Sequence, residues 1–225
     1  MQKASTFFTE EQRKRIEQAV ADAESKTSAE IVPALASASG RYDRPEDIVG
    51  VWCGVIAMAA VWCLLPRGGA DAASWGFAWA ALKLPALIAA VVVGFVIGAV
   101  IGSNVGWLRR LFTPRRQMAE EVAEAARGLF FDGRVHHTER ATGLLVYLSL
   151  FERTAAIIAD EAVLKGLGQP ALDELCARLT AGLCGGDPAE AVCAVLADAG
   201  ERLASVLPPS EENPDELANS LIVID

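Results

Sequence analysis

The chain has 225 residues, 52% of them hydrophobic, yet its 29 acidic and 20 basic side chains leave a net charge of −9. That balance, with no basic patch outside the few arginines that flank the apolar stretches, disfavours a nucleic-acid-binding surface, and five cysteines without a CxxC spacing exclude a disulfide scaffold or a legible zinc site. The apolar and charged residues fall in different segments, which predicts a soluble domain joined to a membrane insert.

At the start of the chain, Thr9 with Gln12 three residues later forms a capping-box signature. Ile16, Ala19, Val20 and Ala23 continue an apolar stripe, so a first helix is expected to about Ser25. The stretch Met1 to Glu24 is charged and helix-patterned, unlike a cleavable secretory signal, so the N-terminus is expected in the cytoplasm. Ala29 to Leu35 reads as strand one, and Ser37 to Pro45 leads into the insert.

Ile48 to Leu65 and Pro85 to Leu108 contain no charged side chain over 18 and 24 residues. A helix needs about 20 apolar residues to cross a bilayer, so two spans are predicted. Arg41, Arg44, Arg109, Arg110, Arg115 and Arg116 flank the pair, against Arg67 and Lys83 between the spans, which places both flanks and both termini on the cytoplasmic side. Those arginines also suit anionic lipid headgroups.

Glycines recur every four residues at Gly94, Gly98, Gly102 and Gly106, and again at Gly50 and Gly54. Such stripes permit close backbone approach, either within the hairpin or between two copies in a homodimer. Trp52, Trp62 and Trp107 read as interfacial anchors, and Trp75, Trp79 and Leu82 as one face of a short surface helix in the connecting loop. Spans without ionisable groups suit an anchor in the lipid bilayer and not an ion or proton pathway.

After the insert, Pro114 opens a second helix that buries Met118, Val122, Ala125, Ala126 and Leu129. Leu144 to Leu150 is apolar on both faces, as a central strand requires, and Arg153 to Asp160 follows a turn at Phe151 and Glu152. Strand one, the crossover helix and strand two make a right-handed parallel βαβ unit, with strand three antiparallel. Leu172, Leu175, Cys176, Leu179 and Leu183 mark a third helix; Asp187, Pro188 and Glu190 start a fourth that carries Val192, Val195, Leu196, Ala199, Leu203 and Val206. Prolines and carboxylates from Pro208 to Glu216 predict a solvated acidic tail over 208–225. The fold class is therefore α/β: a small mixed sheet with a parallel βαβ unit and an antiparallel hairpin, covered by helices. It divides as 1–41, a transmembrane hairpin at 42–111, 112–207, and the tail.

The runs Phe8-Thr9-Glu10-Glu11, Thr27 to Val32, Arg140 to Tyr147 and Glu152 to Asp160 together resemble the TPM-domain family. The likeness is to its membrane-embedded bacterial branch, in which a two-span hairpin interrupts the domain, and it covers roughly Thr6 to Leu207. It implies an α/β sandwich in the inner (plasma) membrane of a bacterium. Family activities include acid phosphatase or calcium binding in some members, and accessory roles beside other membrane proteins in others. Where many members have Asp-Asn-Gly before the central strand, this chain has Ala141-Thr142-Gly143, which removes a carboxylate and an amide.

Pairing of the strands brings Glu30, Glu139, Thr142, Asp160 and Glu161 to one sheet end. Hard oxygen ligands of this kind suit Ca2+ or Mg2+. The same clustering arises wherever strands leave a core into solvent, and both readings stand. That end is expected to face away from the bilayer. His136 and His137 are adjacent and lack the helical spacing of HExxH, which disfavours a zinc pair. Arg140 and Arg153 suit either a phosphate clamp or pairing with Glu139 and Glu152. The functional expectation is a binding or accessory module for membrane proteins, with a weak divalent-metal-dependent acid phosphatase as the alternative.

Overall fold

The structure is a computed structural model that describes residues 3–42, 44–65, 76–105, 110–138, 140–209 and 217–225. It divides into two compact units, Met1–Gly40 with Arg115–Asp225, and Arg41–Pro114.

In the first unit, α1 (Glu10–Glu24) opens on the capping box: Thr9 Oγ1 accepts the Gln12 N–H at 3.2 Å, and Gln12 Oε1 accepts the Thr9 N–H at 2.9 Å. The chain then enters β1 (Glu30–Ala36), every residue of which is buried. β2 (Gly143–Ser149) pairs parallel with β1 in the register Glu30 to Gly143, and β3 (Thr154–Ala159) turns back antiparallel to β2. A short β4 (Ile222–Ile224) pairs parallel with the other edge of β1, giving the order β3-β2-β1-β4. Burial on both faces explains why β1 and β2 read as unbroken apolar runs without alternation.

Helices cover both faces. The second unit interrupts the chain, so in the first unit the next helix is the crossover between β1 and β2, Arg115–Asp132, with Val122, Ala126 and Phe130 against Val32, Ala34, Leu145 and Tyr147. On the opposite face, α1 joins Glu161–Leu167, Gln169–Gly185 and Pro188–Val206 around Ile31, Leu35, Leu144, Val146 and Leu148. The last of these is capped by Asp187, whose Oδ1 accepts the Ala189 N–H at 2.9 Å.

Two elements depart from expectation. The tail is not wholly solvated: four consecutive apolar residues, Leu221 to Ile224, find an open strand edge, and burying them there outweighs the polarity of the preceding stretch. Asp160 and Glu161 do not extend a strand end. Asp160 caps the seven-residue helix Glu161–Leu167, which Gly168 closes at φ 77°, a conformation that glycine adopts without strain.

The second unit is a helical hairpin, α2 (Arg44–Leu64) and α3 (Gly76–Asn104). The crossover helix is therefore α4, and the three that follow β3 are α5, α6 and α7. Within the hairpin, Glu46–Leu64 and Leu82–Asn104, 19 and 23 residues with mean hydropathies of 2.0 and 2.8, are long and apolar enough to cross a membrane, and only 17% and 11% of their stretches are buried. Trp52, Ile56, Trp62, Ile88, Val92 and Val96 are all exposed.

The glycines face inward. A Cβ at Gly94 would lie 2.8 Å from the Cys53 carbonyl oxygen, and one at Gly98 would lie 2.7 Å from that of Val49. At Gly50 the nearest atoms belong to Phe95, and at Gly54 to Val91. Rising numbers on α2 meet falling numbers on α3, so the pair is antiparallel, and these four glycines seat one helix on the other within a single chain. Gly102 is also buried. The separate loop helix expected around Trp75 to Leu82 is replaced by α3 itself, which begins at Gly76 and runs through Pro85; Lys83 is thus helical, 3.8 Å above the Trp62 ring. Arg67, Trp75, Gly106, Trp107, Arg109 and Glu139, and the side chain of Trp79, lie outside the described residues.

Candidate functional site

The N-terminal ends of β1 and β2 gather Glu30, Thr142, Asp160 and Glu161, the described residues singled out for a cation, and the backbone is tightly laced there. Asp160 N–H donates to Gly143 O at 2.8 Å, Ala162 N–H to Ala141 O at 3.1 Å, and Glu30 N–H to Thr142 O at 3.3 Å. Gly143 is obligatory at this crossing, because a Cβ would sit 2.1 Å from the Val135 carbonyl oxygen.

The side chains themselves are engaged in other work. Glu30 is buried and its Oε2 accepts the Leu217 N–H at 3.3 Å; Asp160 Oδ1 accepts the Glu161 N–H at 3.1 Å as a helix cap. Glu161 is solvent-exposed and pairs with Lys165 at 2.6 Å, which holds its carboxyl below the usual range. Thr142 is buried, its N–H donating to Thr138 Oγ1 at 2.9 Å. Asp160 Oδ2 is shielded from solvent and has no hydrogen-bond partner among the described residues. Among the described residues, no group of three or more His, Cys, Asp or Glu side chains is arranged to hold a metal ion. Of the described carboxylates there, Glu30 serves a strand, Asp160 a helix cap and Glu161 a helix surface.

The other candidates also resolve into local roles. His136 donates from Nδ1 to the Phe130 carbonyl at 3.3 Å and lies with its ring centroid 5.1 Å from that of Phe131. Arg140 precedes β2 and Arg153 follows it, so the seven-residue strand separates them by about 20 Å, too far to clamp one phosphate.

At the opposite end of the sheet lies a polar network that sequence reasoning missed. Glu152, only 2% exposed, accepts the N–H groups of Ser39 at 2.9 Å and Gly40 at 3.3 Å on Oε1, and the Ser149 hydroxyl on Oε2. Tyr147 Oη and Ser39 Oγ are 3.0 Å apart, and burial pushes the Tyr147 hydroxyl pKa up, helped by the nearby Glu152 charge and opposed by the Ser39 bond. The available signal was the serine pair Ser37 and Ser39 just beyond strand one. Beside this network, a cavity of about 330 Å³ is lined by Phe7, Leu150, Arg153, Leu183, Cys184 and Pro188; the Cys184 thiol points to the Arg153 carbonyl at 3.8 Å.

The outer edge of β1 completes this end. The peptide groups of alternate residues, Ile31, Pro33, Leu35 and Ser37, face the outer edge of β1, opposite those that pair with β2. Ile31 N–H is taken by Glu24 Oε1 at 2.8 Å, Pro33 has no N–H, and Ser37 N–H donates to Ile224 O at 2.8 Å. Asp225 then closes the row: its Oδ1 accepts the Ser5 N–H at 3.1 Å and the Ser37 hydroxyl at 2.8 Å, while Ser37 Oγ accepts the Ala4 N–H at 2.7 Å. Hydrogen bonds from Ser5 and Ser37 hold the Asp225 carboxyl down at about 2.

No family model and no curated protein matches the chain. Among solved structures, the chain is similar to the BA42 protein from the psychrophilic bacterium Bizionia argentinensis, an NMR structure, with a TM-score of 0.57, 17% identity and 99% of each chain covered. At that identity the likeness concerns the fold alone.

Proposed function

We propose that this protein is a membrane-anchored, TPM-like accessory module whose α/β domain faces the cytoplasm of a bacterium and binds other proteins of the inner membrane. The observation that carries the reading is the combination of an antiparallel hairpin, uncharged from Ile48 to Leu64 and from Leu84 to Asn104 and apolar on its outer surface, with a separate α/β unit in which Glu30 and Glu161 are engaged structurally. A hairpin of this composition supplies anchorage and no ion pathway. The TPM likeness rests on the runs Thr27 to Val32, Arg140 to Tyr147 and Glu152 to Asp160, which contribute β1, β2 and β3 of one sheet.

The test uses the full chain in its native membrane, with photo-cross-linkers replacing exposed Lys14 and Glu201. A discrete adduct with one integral membrane protein is expected, together with retention in the membrane pellet after alkaline extraction. Hydrolysis of a phosphate ester that rises with calcium or magnesium, falls with chelator and vanishes in Asp160→Ala would replace this reading with a phosphatase.

A further inference from the structure

The edge of β1 is divided into a half sealed by side chains and a half covered by a strand. Glu24 and Pro33 close the first part with the chain's own side chains, as natural edge strands are usually protected. Over Ala34 to Ser37 protection comes instead from β4, a three-residue strand whose side chains are only half-buried, although its neighbour β1 is wholly buried. β4 is joined to α7 through a stretch that carries Pro208, Pro209 and Pro214 with four carboxylates.

We propose that the β1 edge from Ala34 to Ser37 is a strand-docking slot for an extended segment of a partner protein, three apolar residues followed by an acidic one. Ile222 to Asp225 is then an internal occupant that such a segment displaces. The inference rests on the accessory-module reading and gives that module its contact surface.

The slot has the parts that strand addition requires. Backbone groups of β1 supply a parallel ladder in the register Ala34 to Ile222, Leu35 to Val223 and Ala36 to Ile224. Apolar side chains are read on both faces: Ile222 and Ile224 pack on the α4 side of the sheet and Val223 on the other. The acidic residue is read at the end of the row by the Ser5 N–H and the Ser37 hydroxyl, the latter oriented by the Ala4 N–H. Ser37 is buried, so this donor pair is fixed by the fold. A basic residue in place of Asp225 could not accept from the Ser5 N–H, which would be left facing a cation, and this gives the slot its selectivity for charge.

Three residues of ladder make a weak ligand, and the internal occupant holds its place because it is tethered, at an effective concentration in the millimolar range for a short connection. A partner segment that extends the ladder at either end competes without any rearrangement of the sheet.

The experiment titrates the full-length protein in detergent with a fluorescent peptide of the sequence of residues 217–225. Val223→Asp in the full chain ejects the internal strand and leaves every slot residue in place. The peptide is expected to bind that variant saturably and roughly tenfold or more tighter than the wild type, where the tether competes. A peptide with alanine at the position of Asp225 is expected to bind about tenfold more weakly.

Should Val223→Asp fail to fold, a protease site placed within 210–216 of the folded wild type removes the tether, and the same peptide is expected to replace the cut fragment after dilution. Equal binding by the alanine peptide, or no binding to a folded variant or cut chain, overturns the slot. Tail-exchanged dimers without peptide binding would assign the edge to a second copy and also overturn it. The cross-linking experiment above leaves the slot intact, so its failure and that of the peptide titration are distinguishable.

Discussion

Asp225 shows how much one surface carboxylate organises. It joins the segment Ala4-Ser5, the end of β1 at Ser37 and the last strand through two hydrogen bonds to a single oxygen. Its folded-state pKa of about 2 lies below the ordinary value of 3.8, so ionised Asp225 favours the docked state. That contribution is complete above the ordinary value and is lost as pH falls from there through about 2. Amide exchange of Ser37, corrected for its intrinsic rate, is therefore expected to show constant protection from pH 7 to pH 5 and declining protection below about pH 4. Asp225→Asn should reduce protection already at pH 7; an unchanged value would detach the carboxylate from strand docking.

Among the elements, what was legible followed from local chemistry. Thr9 and Gln12 specify the start of α1, Asp187 with Pro188 specifies that of α7, and continuous apolar runs specify the two central strands. β4 was hidden because a three-residue strand has too few positions for a period, and the proline- and carboxylate-rich stretch at 208–216 set the reading of everything after it. α5 was hidden because Asp160 and Glu161 fit an exposed strand end as well as a cap and a first turn. The candidate cation edge was legible as a location, since register alone brings Glu30, Gly143 and Asp160 together. The partners of Glu30 and Glu161, the Leu217 N–H and Lys165, were not legible, because they come from side-chain geometry that spacing does not encode.

In the hairpin, sequence left two destinations for the glycine stripe, and the contacts of Gly50, Gly54, Gly94 and Gly98 lie within the chain. Gly98→Leu places side-chain atoms where the Val49 carbonyl and the Cys53 side chain already lie, 2.7 Å from a Cβ. Overpacking of that kind costs about 1–3 kcal/mol. A lower thermal midpoint in detergent, with α2–α3 cross-linking diminished, is expected; an unchanged midpoint would mean that the helices have room to separate there.

For the whole molecule, the proposed topology makes a directional prediction. With the other cysteines removed, Ala70→Cys between the spans should react with a membrane-impermeant thiol reagent on intact spheroplasts, whereas exposed Cys184 should react only after permeabilisation. The reverse pattern would invert the orientation drawn from the arginines. The antiparallel hairpin also bears on how the chain is made. β1 leaves the ribosome before either of its neighbours exists, and the whole of 41–114 must be synthesised before the helix that covers it and the strand that pairs with it. An unstructured connection of that length would carry a loop-closure cost, but two helices locked side by side return the polypeptide near its point of departure before β2 is translated. On the proposed topology, delivery to the insertion machinery is a folding step for the α/β unit as well, and a chain stalled there would present an unpaired seven-residue β1 to chaperones and proteases.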